Sequence, residues 1–268
     1  MKLAPTLPPH AAATIHQFLR HHVQEAGASG VILGLSGGID SALAARLAVD
    51  ALGAARVRGV VLPDAIYPAA LLEETLGYGS DLGIAASVVP IQPIEAAFRQ
   101  QLPAISEQMN WGNTKARIRM VVLYALARET RSLVLGTGNK SELLLGYFTK
   151  HGDGGVDLLP LGDLYKTQVR ALAESLGLPE AIRARAPTAG LYEGQTDEAE
   201  LGLPYRDLDR ILHGIEGLRT AEEIATATDL PLASVRSVEA RVAANRHKRR
   251  SAPIPKIALR TIGIDWRD

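Results

Sequence analysis

VILGLSGGIDSALAARLAVDALG, residues 31 to 53, decides how the rest of the chain is read. VILGLS is short, apolar and bounded by glycines, which predicts a buried strand, and SALAARLAVDALG is built largely from strong helix formers. SGGIDS, Ser36 to Ser41, joins the two. A strand that turns into a helix leaves unpaired backbone N–H groups at the helix start, where an anion is held favourably. Gly37 and Gly38 let that backbone approach a phosphate closely, and the Ser36 and Ser41 hydroxyls are further donors. Asp40 would be repelled by bare phosphate, so the motif predicts a divalent cation, magnesium, between the carboxylate and the phosphates. On these residues alone a plain Gly-Gly turn, followed by an acidic residue that complements the helix dipole, stays open.

Outward from this point the pattern repeats. Upstream, Ile15, Leu19 and Val23 recur every fourth residue in a helix over 11 to 26, which Gly27 and Gly30 end. Downstream, RVRGVVLP (56 to 63) and AASVVPI (85 to 91) read as strands, each followed by a helical stretch. Residues 113 to 129 are helical by composition, SLVLGTG (132 to 138) is the next strand, and NKSELLLG starts another helix. Alternating β and α units predict an α/β fold, a doubly wound parallel sheet flanked by helices. From Asp163 onward helices dominate, interrupted by a loop at 184 to 197 rich in Gly, Pro and Thr. We expect one domain over 1 to 268, with an α/β core at about 30 to 162 and a mainly helical cap and substrate-binding tail at 163 to 268.

Bulk composition narrows the chemistry. With 268 residues, 47% of them apolar, the chain can bury a sizeable core. No apolar run approaches the roughly 20 residues that span a bilayer, and MKLAPTLPPH does not read as a secretory leader, so a cytoplasmic location without membrane contact is expected. The absence of cysteine excludes disulfides, thiolate metal sites and cysteine nucleophiles. Twenty-nine basic residues balance 29 acidic ones, so nothing attracts nucleic acid globally and any anionic ligand must meet locally placed cations. Neither G-x-x-x-x-G-K-[ST] nor a helix-opening G-x-G-x-x-G is present.

SGGIDS resembles the loop of the N-type ATP pyrophosphatases, the PP-loop enzymes that cleave ATP between its α and β phosphates. GTGNKSELLLGYFTKHGDGGVDLLPLGDLYK (136 to 166), APTAGLYEGQTDEAELG (186 to 202), HKRRSAP (247 to 253) and NTKARIRMVVLYALA (113 to 127) resemble, within that class, the ammonia-dependent NAD synthetases. The resemblance implies an adenine nucleotide alpha hydrolase-like fold, a homodimer, and amidation of deamido-NAD by ammonia at the expense of ATP, through an acyl adenylate. It implies ATP at Gly34, Leu35, Ser36, Gly37, Gly38, Ile39, Asp40, Ser41, Thr137, Lys166 and Thr188, and magnesium at Asp40 and Glu142. It implies deamido-NAD at Arg117, Lys150, Asp157, His247 and Lys248.

Physical readings run beside these. A lysine offsets charge developing on pyrophosphate, so Lys166 is a catalytic candidate. Asp153, in the GDGG turn, is the second: either a carboxylate that positions ammonium and accepts its proton, or a plain turn aspartate. Water would hydrolyse an adenylate, which makes the loops at 150 to 157 and 184 to 197 candidate lids. A glutamine-dependent relative needs an amidase cysteine, which this chain lacks, so free ammonia is the expected donor. The alternatives are another PP-loop amidase of the GMP-synthetase kind and an ATP-binding module without turnover, which needs no paired metal carboxylates. LPDAIYPAALLEETLGYGSDLG, 62 to 83, departs from the family pattern next to the expected adenine pocket.

Overall fold

The computed structural model describes residues 3–192, 194–262 and 264–266. Helix α1 (Ala11–Glu25) leads into strand β1 (Gly30–Gly34), which passes through SGGIDS into α2 (Ile39–Leu52). Then come β2 (Val57–Val61), α3 (Ala69–Asp81), β3 (Ala85–Val88), α4 (Gln92–Gln101), α5 (Gln108–Thr130) and β4 (Ser132–Val134). The four strands are parallel in the order β3-β2-β1-β4, with Val31 opposite Val57 and Gly30 opposite Ser132. Parallel neighbours cannot be joined by a tight turn, so each connection is a helical crossover.

This order positions the site. The chain winds from β1 outward to β3, then crosses back to lay β4 on the other side of β1. Loops leaving β1 and β4 therefore diverge from adjacent strand ends, and a crevice opens between them. Successive side chains of β1 serve opposite faces: Val31 and Leu33 enter a core with α1, α2 and Leu135, whereas Ile32 joins Val60, Ile118, Leu123 and Val134 beneath α5. Both faces are covered, which is why VILG is continuously apolar rather than alternating.

Strand pairing ends at Val134, short of the expected 138. Leu135 makes a single bridge to Leu158, and the Gly136 N–H bonds to Leu158 O at 2.7 Å. A side chain at Gly136 would meet Val156 and Leu159 within 2.8 Å, so the exit from the sheet is open only to glycine.

The remainder is helical: α6 (Lys140–Leu145), α7 (Lys166–Ser175), α8 (Glu180–Arg183), α9 (Asp197–Leu201), α10 (Tyr205–Glu216), α11 (Ala221–Thr228) and α12 (Leu232–Ala244), followed by a 3-10 turn at Asn245–Arg249. Val169, Leu172 and Ile182 from α7 and α8 join the α2 side of the sheet. A second core forms where Tyr205, Leu208, Ile211, Ile224 and Val235 close on Leu145 and Leu3. No described helix is long and apolar enough to cross a membrane.

Asp209 joins the two cores. Fully buried on α10, it accepts the Ser141 hydroxyl at 2.5 Å and the Thr167 N–H at 2.8 Å, holding the first turns of α6 and α7 together. Asp209→Ala strands both donors, and we expect a loss of about 2–4 kcal/mol in urea unfolding at unchanged m value. A loss below about 0.5 kcal/mol would mean that water replaces the carboxylate there.

Candidate active site

SGGIDS is braced by hydrogen bonds among its own residues. Ser36 Oγ and Ser41 Oγ lie 3.1 Å apart, the Gly38 N–H donates to Ser36 Oγ at 3.2 Å, and the Ser41 hydroxyl donates to Gly38 O at 3.0 Å. Gly37 has φ +78°, and a Cβ there would lie 2.5 Å from Leu71 and 2.7 Å from Thr75 Oγ1. Glycine is thus required both by conformation and by space. Segment 62–83, which departs from the family pattern, buttresses this turn: the Tyr67 hydroxyl donates to Ser36 O at 3.1 Å, and Thr75 lies under Gly37.

Asp40 projects from the first turn of α2 and Glu142 from the first turn of α6, and Asn139 links them. Its Nδ2 donates to Asp40 Oδ1 at 3.0 Å, its backbone N–H donates to Glu142 Oε2 at 3.1 Å, and its Oδ1 accepts the Glu142 N–H at 3.1 Å. This is a capping box. The spacing N-x-x-E at 139 to 142 is the sequence signal that could have found Asn139, a residue absent from the expected site.

Lys166 completes the group. Only 2% exposed, its Nζ pairs with Asp40 Oδ2 and lies 3.5 Å from Glu142 Oε1. Burial and the neighbouring Asp40 charge push the Glu142 carboxyl well above the usual carboxylate range, with Lys166 opposing. For Lys166, burial favours the neutral amine, but Asp40 and Glu142 outweigh it and raise the ammonium above its ordinary value. Two carboxylates already converge on a cation here, and their hard oxygens suit magnesium, which keeps several waters and takes one or two protein carboxylates. The donor set fits that ion.

The surrounding cleft, about 1290 Å³, exceeds the roughly 300–1000 Å³ of a pocket for one small ligand, leaving room for a nucleotide and a second substrate. Gly34, Leu35, Ser36, Gly38, Ile39, Asp40 and Ser41 line it from the end of β1 and the start of α2, and Thr137 and Glu142 from the loop after β4 and the start of α6. Lys166, Thr188, Asp153 and Lys248 also face it, while Gly37 lines a small adjoining cavity. One apolar wall holds Val60, Leu62, Met120 and Leu123. Above that wall, Asp64 is buried between Lys115 at 2.7 Å and Arg119 at 3.3 Å, fixing the loop after β2 to α5. No motif announced this triad.

Four expected residues lie outside the cleft lining. Arg117, Lys150 and His247 form a chain, Arg117 Nε donating to Lys150 O at 3.2 Å and Lys150 Nζ to His247 O at 3.3 Å. Asp157 is engaged elsewhere: it accepts the Tyr124 hydroxyl at 2.8 Å and the Val134 N–H at 2.7 Å, closing the end of β4. Asp153 accepts the Thr149 N–H at 2.8 Å, which shapes the GDGG turn. Within the basic cluster, Lys248 binds Gly146 O and Phe148 O, and Arg249 binds Leu143 O and Leu144 O. These cations cap the carbonyl end of α6.

Residues 11–252 match the model of the NAD synthase family. The NH(3)-dependent NAD(+) synthetases of Methanosarcina acetivorans and Thermococcus kodakarensis are each 44% identical to this chain, over 91% and 90% of it and 96% and 94% of their own lengths. Among solved structures, the NMN synthetase from Francisella tularensis is similar at TM-score 0.83 and 33% identity, covering 94% of this chain and 100% of that one. The NH3-dependent NAD synthetase from Campylobacter jejuni, in complex with the nitrate ion, gives TM-score 0.78 and 33% identity over 92% and 97% of the two chains. A glycine loop at the switch point of a parallel sheet, paired acids on either side of it and agreement over nine tenths of the length lead to one conclusion: the chain belongs to the NAD synthase family.

Proposed function

We propose that this protein is an ammonia-dependent NAD synthetase, converting deamido-NAD to NAD while ATP becomes AMP and pyrophosphate. The observation that carries the reading is the convergence of Asp40, Glu142 and Lys166 at the mouth of SGGIDS.

A carboxylate is a poor electrophile because it is anionic, so one oxygen must become a leaving group before ammonia can attack. The loop from Gly34 to Ser41 holds ATP, with Thr137 and Thr188 as further donors from facing walls. Asp40 and Glu142 would hold Mg2+, which when bound would offset charge on the phosphates. Lys166 offers its ammonium to the pyrophosphate oxygens, and its buried position keeps it aligned without reorganisation. The nicotinate carboxylate attacks the α phosphate, pyrophosphate leaves, and ammonia displaces AMP from the acyl adenylate. Asp153, on the cleft wall, positions ammonium and takes its proton.

Arg117, Lys150 and His247 beside the cleft and Lys248 on its lining supply donors for the dinucleotide phosphates at one end, and Asp157, already held by Tyr124 and Val134, is the further acceptor. That end faces a second subunit in this reading. Arg117, Val121 and Tyr124 lie on one exposed face of α5, Val121 at 70% exposure, which suits a homodimer whose partner completes the substrate site. The loops at 150–157 and 184–197 act as lids, residue 193 lying outside the described residues. The protein works in the cytoplasm, with small-molecule substrates and no nucleic acid.

The test is a product assay with Mg2+, ATP and deamido-NAD, supplying ammonium or glutamine. Equal yields of NAD, AMP and pyrophosphate from ammonium, and none from glutamine, are expected. Because a similar structure is an NMN synthetase, nicotinate mononucleotide and xanthylate are run as rival acceptors. Preference for either would replace deamido-NAD as the substrate, and ATP left whole with every acceptor would reduce the protein to a binding module.

A further inference from the structure

Lys166 faces more acid than Asp40 and Glu142. Asp197, the first residue of α9, is 3% exposed and lines the same cleft. Its Oδ2 accepts the Tyr205 hydroxyl at 3.1 Å, and the Tyr205 ring centre lies 5.3 Å from Lys166 Nζ, so one aromatic side chain separates this third carboxylate from the ammonium. Its Oδ1 has no hydrogen-bond partner among the described residues. A buried charged oxygen without a donor is costly, and such exceptions mark sites that await an ion, a water or a ligand. Asp40 and Glu142 pair with Lys166, and Asp197 adds a further buried acid to the same cleft, so the acids here outnumber the one lysine between them. Burial raises the Asp197 carboxyl, and Lys166 opposes the rise.

We propose that Asp197 is a third acidic group of the divalent-cation site, presenting Oδ1 to a water in the inner shell of the cation. This rests on the reading that Asp40 and Glu142 are the direct ligands. Magnesium sheds its waters reluctantly, so an acid set back from the pair is suited to the hydration shell rather than to the metal itself. The same residue joins the cation to the nucleotide loop. Its N–H donates to Pro187 O at 3.1 Å, and the neighbouring Thr188 lines the cleft. Closure of that loop over ATP would thus be felt by the hydrated cation, and the converse.

The experiment is a titration of the full chain with Mn2+, followed by electron paramagnetic resonance in the presence of α,β-methylene-ATP. Outer partners of a metal site typically contribute 10–100-fold to affinity, so Asp197→Asn is expected to weaken Mn2+ binding at least about tenfold. Asp40→Asn should weaken it at least as much, and both variants should keep the wild-type circular dichroism. Asp197→Asn binding within about twofold of wild type, while Asp40→Asn loses the ion, overturns the role of Asp197 and leaves the Asp40–Glu142 pair standing. Unchanged binding in Asp40→Asn and Glu142→Gln overturns both readings. A crystal of the wild-type protein with Mn2+ and the same analogue decides the matter without a variant, should Asp197→Asn not fold. Asp197 Oδ1 about 4 Å from the ion through one water supports the proposal; Oδ1 beyond about 6 Å, or bonded to protein instead, overturns it.

Discussion

Asp40→Asn and Glu142→Gln are each expected to lower kcat on the order of 10³-fold at saturating Mg2+ and ATP, with the fold intact. The size follows from what the carboxylates do in this geometry. In the proposed reading each would supply a negative charge to a cation that offsets charge appearing on the phosphates, and an amide retains the shape but loses that charge. The fold should tolerate the change because the two acids oppose one another. Glu142 is already pushed toward its neutral form by burial and Asp40, and the amide oxygen introduced by Glu142→Gln can still accept the Asn139 N–H that closes the capping box. Steady-state kinetics with melting curves measure both halves of the statement. Turnover within tenfold of wild type in either variant would remove that residue from the metal site.

Lys166→Met is expected to produce a comparable loss of kcat together with a stability defect that Mg2+ repairs. Methionine nearly fills the space of the lysine stem but leaves Asp40 and Glu142 facing each other without a cation. Removing one partner of a buried ion pair typically costs about 3–5 kcal/mol. These carboxylates are about one-sixth exposed, and water screens part of that, so about 2–3 kcal/mol is expected in metal-free buffer. The pH of the measurement follows from the direction of the lysine shift. Lys166 has its pKa raised above the ordinary 10.5, so its contribution is fully present below that value and is lost only as pH rises through the higher folded-state value. At pH 7.5 the full effect is read. Millimolar Mg2+ should restore the variant's melting temperature much more than it raises that of wild type, while turnover stays low. A variant as stable as wild type without metal would show that the carboxylates had simply taken up protons, and normal turnover would take Lys166 out of the reaction.

Several parts of this site were legible along the chain because their signals are local. SGGIDS stands between an apolar run and a helical one, and the structure places it between β1 and α2. The helix periodicity of Ile15, Leu19 and Val23 became the buried stripe of α1. Asp40, Glu142 and Lys166, assembled by resemblance, do meet in one cleft. Other features had no such signal. Along the chain Asn139 offers only the N-x-x-E spacing of a capping box, and nothing in GQTDEAE distinguishes Asp197 from its acidic neighbours; its burial does. The segment 62–83 matched no pattern because Tyr67, Thr75 and Asp64 act through partners far along the chain, on the phosphate turn and on α5.

Strand and helix propensities, the glycine turn, the absence of cysteine and the long signature stretches are properties of neighbouring residues, and they point to the elements and the family without knowledge of the fold. Which groups share a field is settled instead by the packing of the whole chain. Lys166 meets Asp40 across 126 residues, and Asn139 meets Asp40 across 99, because β4 crosses back to lie beside β1 rather than beyond β3. That choice is made by covering both faces of the sheet at once, a requirement on the packing of the whole chain that no local period encodes. Burial follows from the same packing: it withdraws Lys166 and Asp197 from solvent and leaves Asp40 and Glu142 only partly exposed beside the lysine.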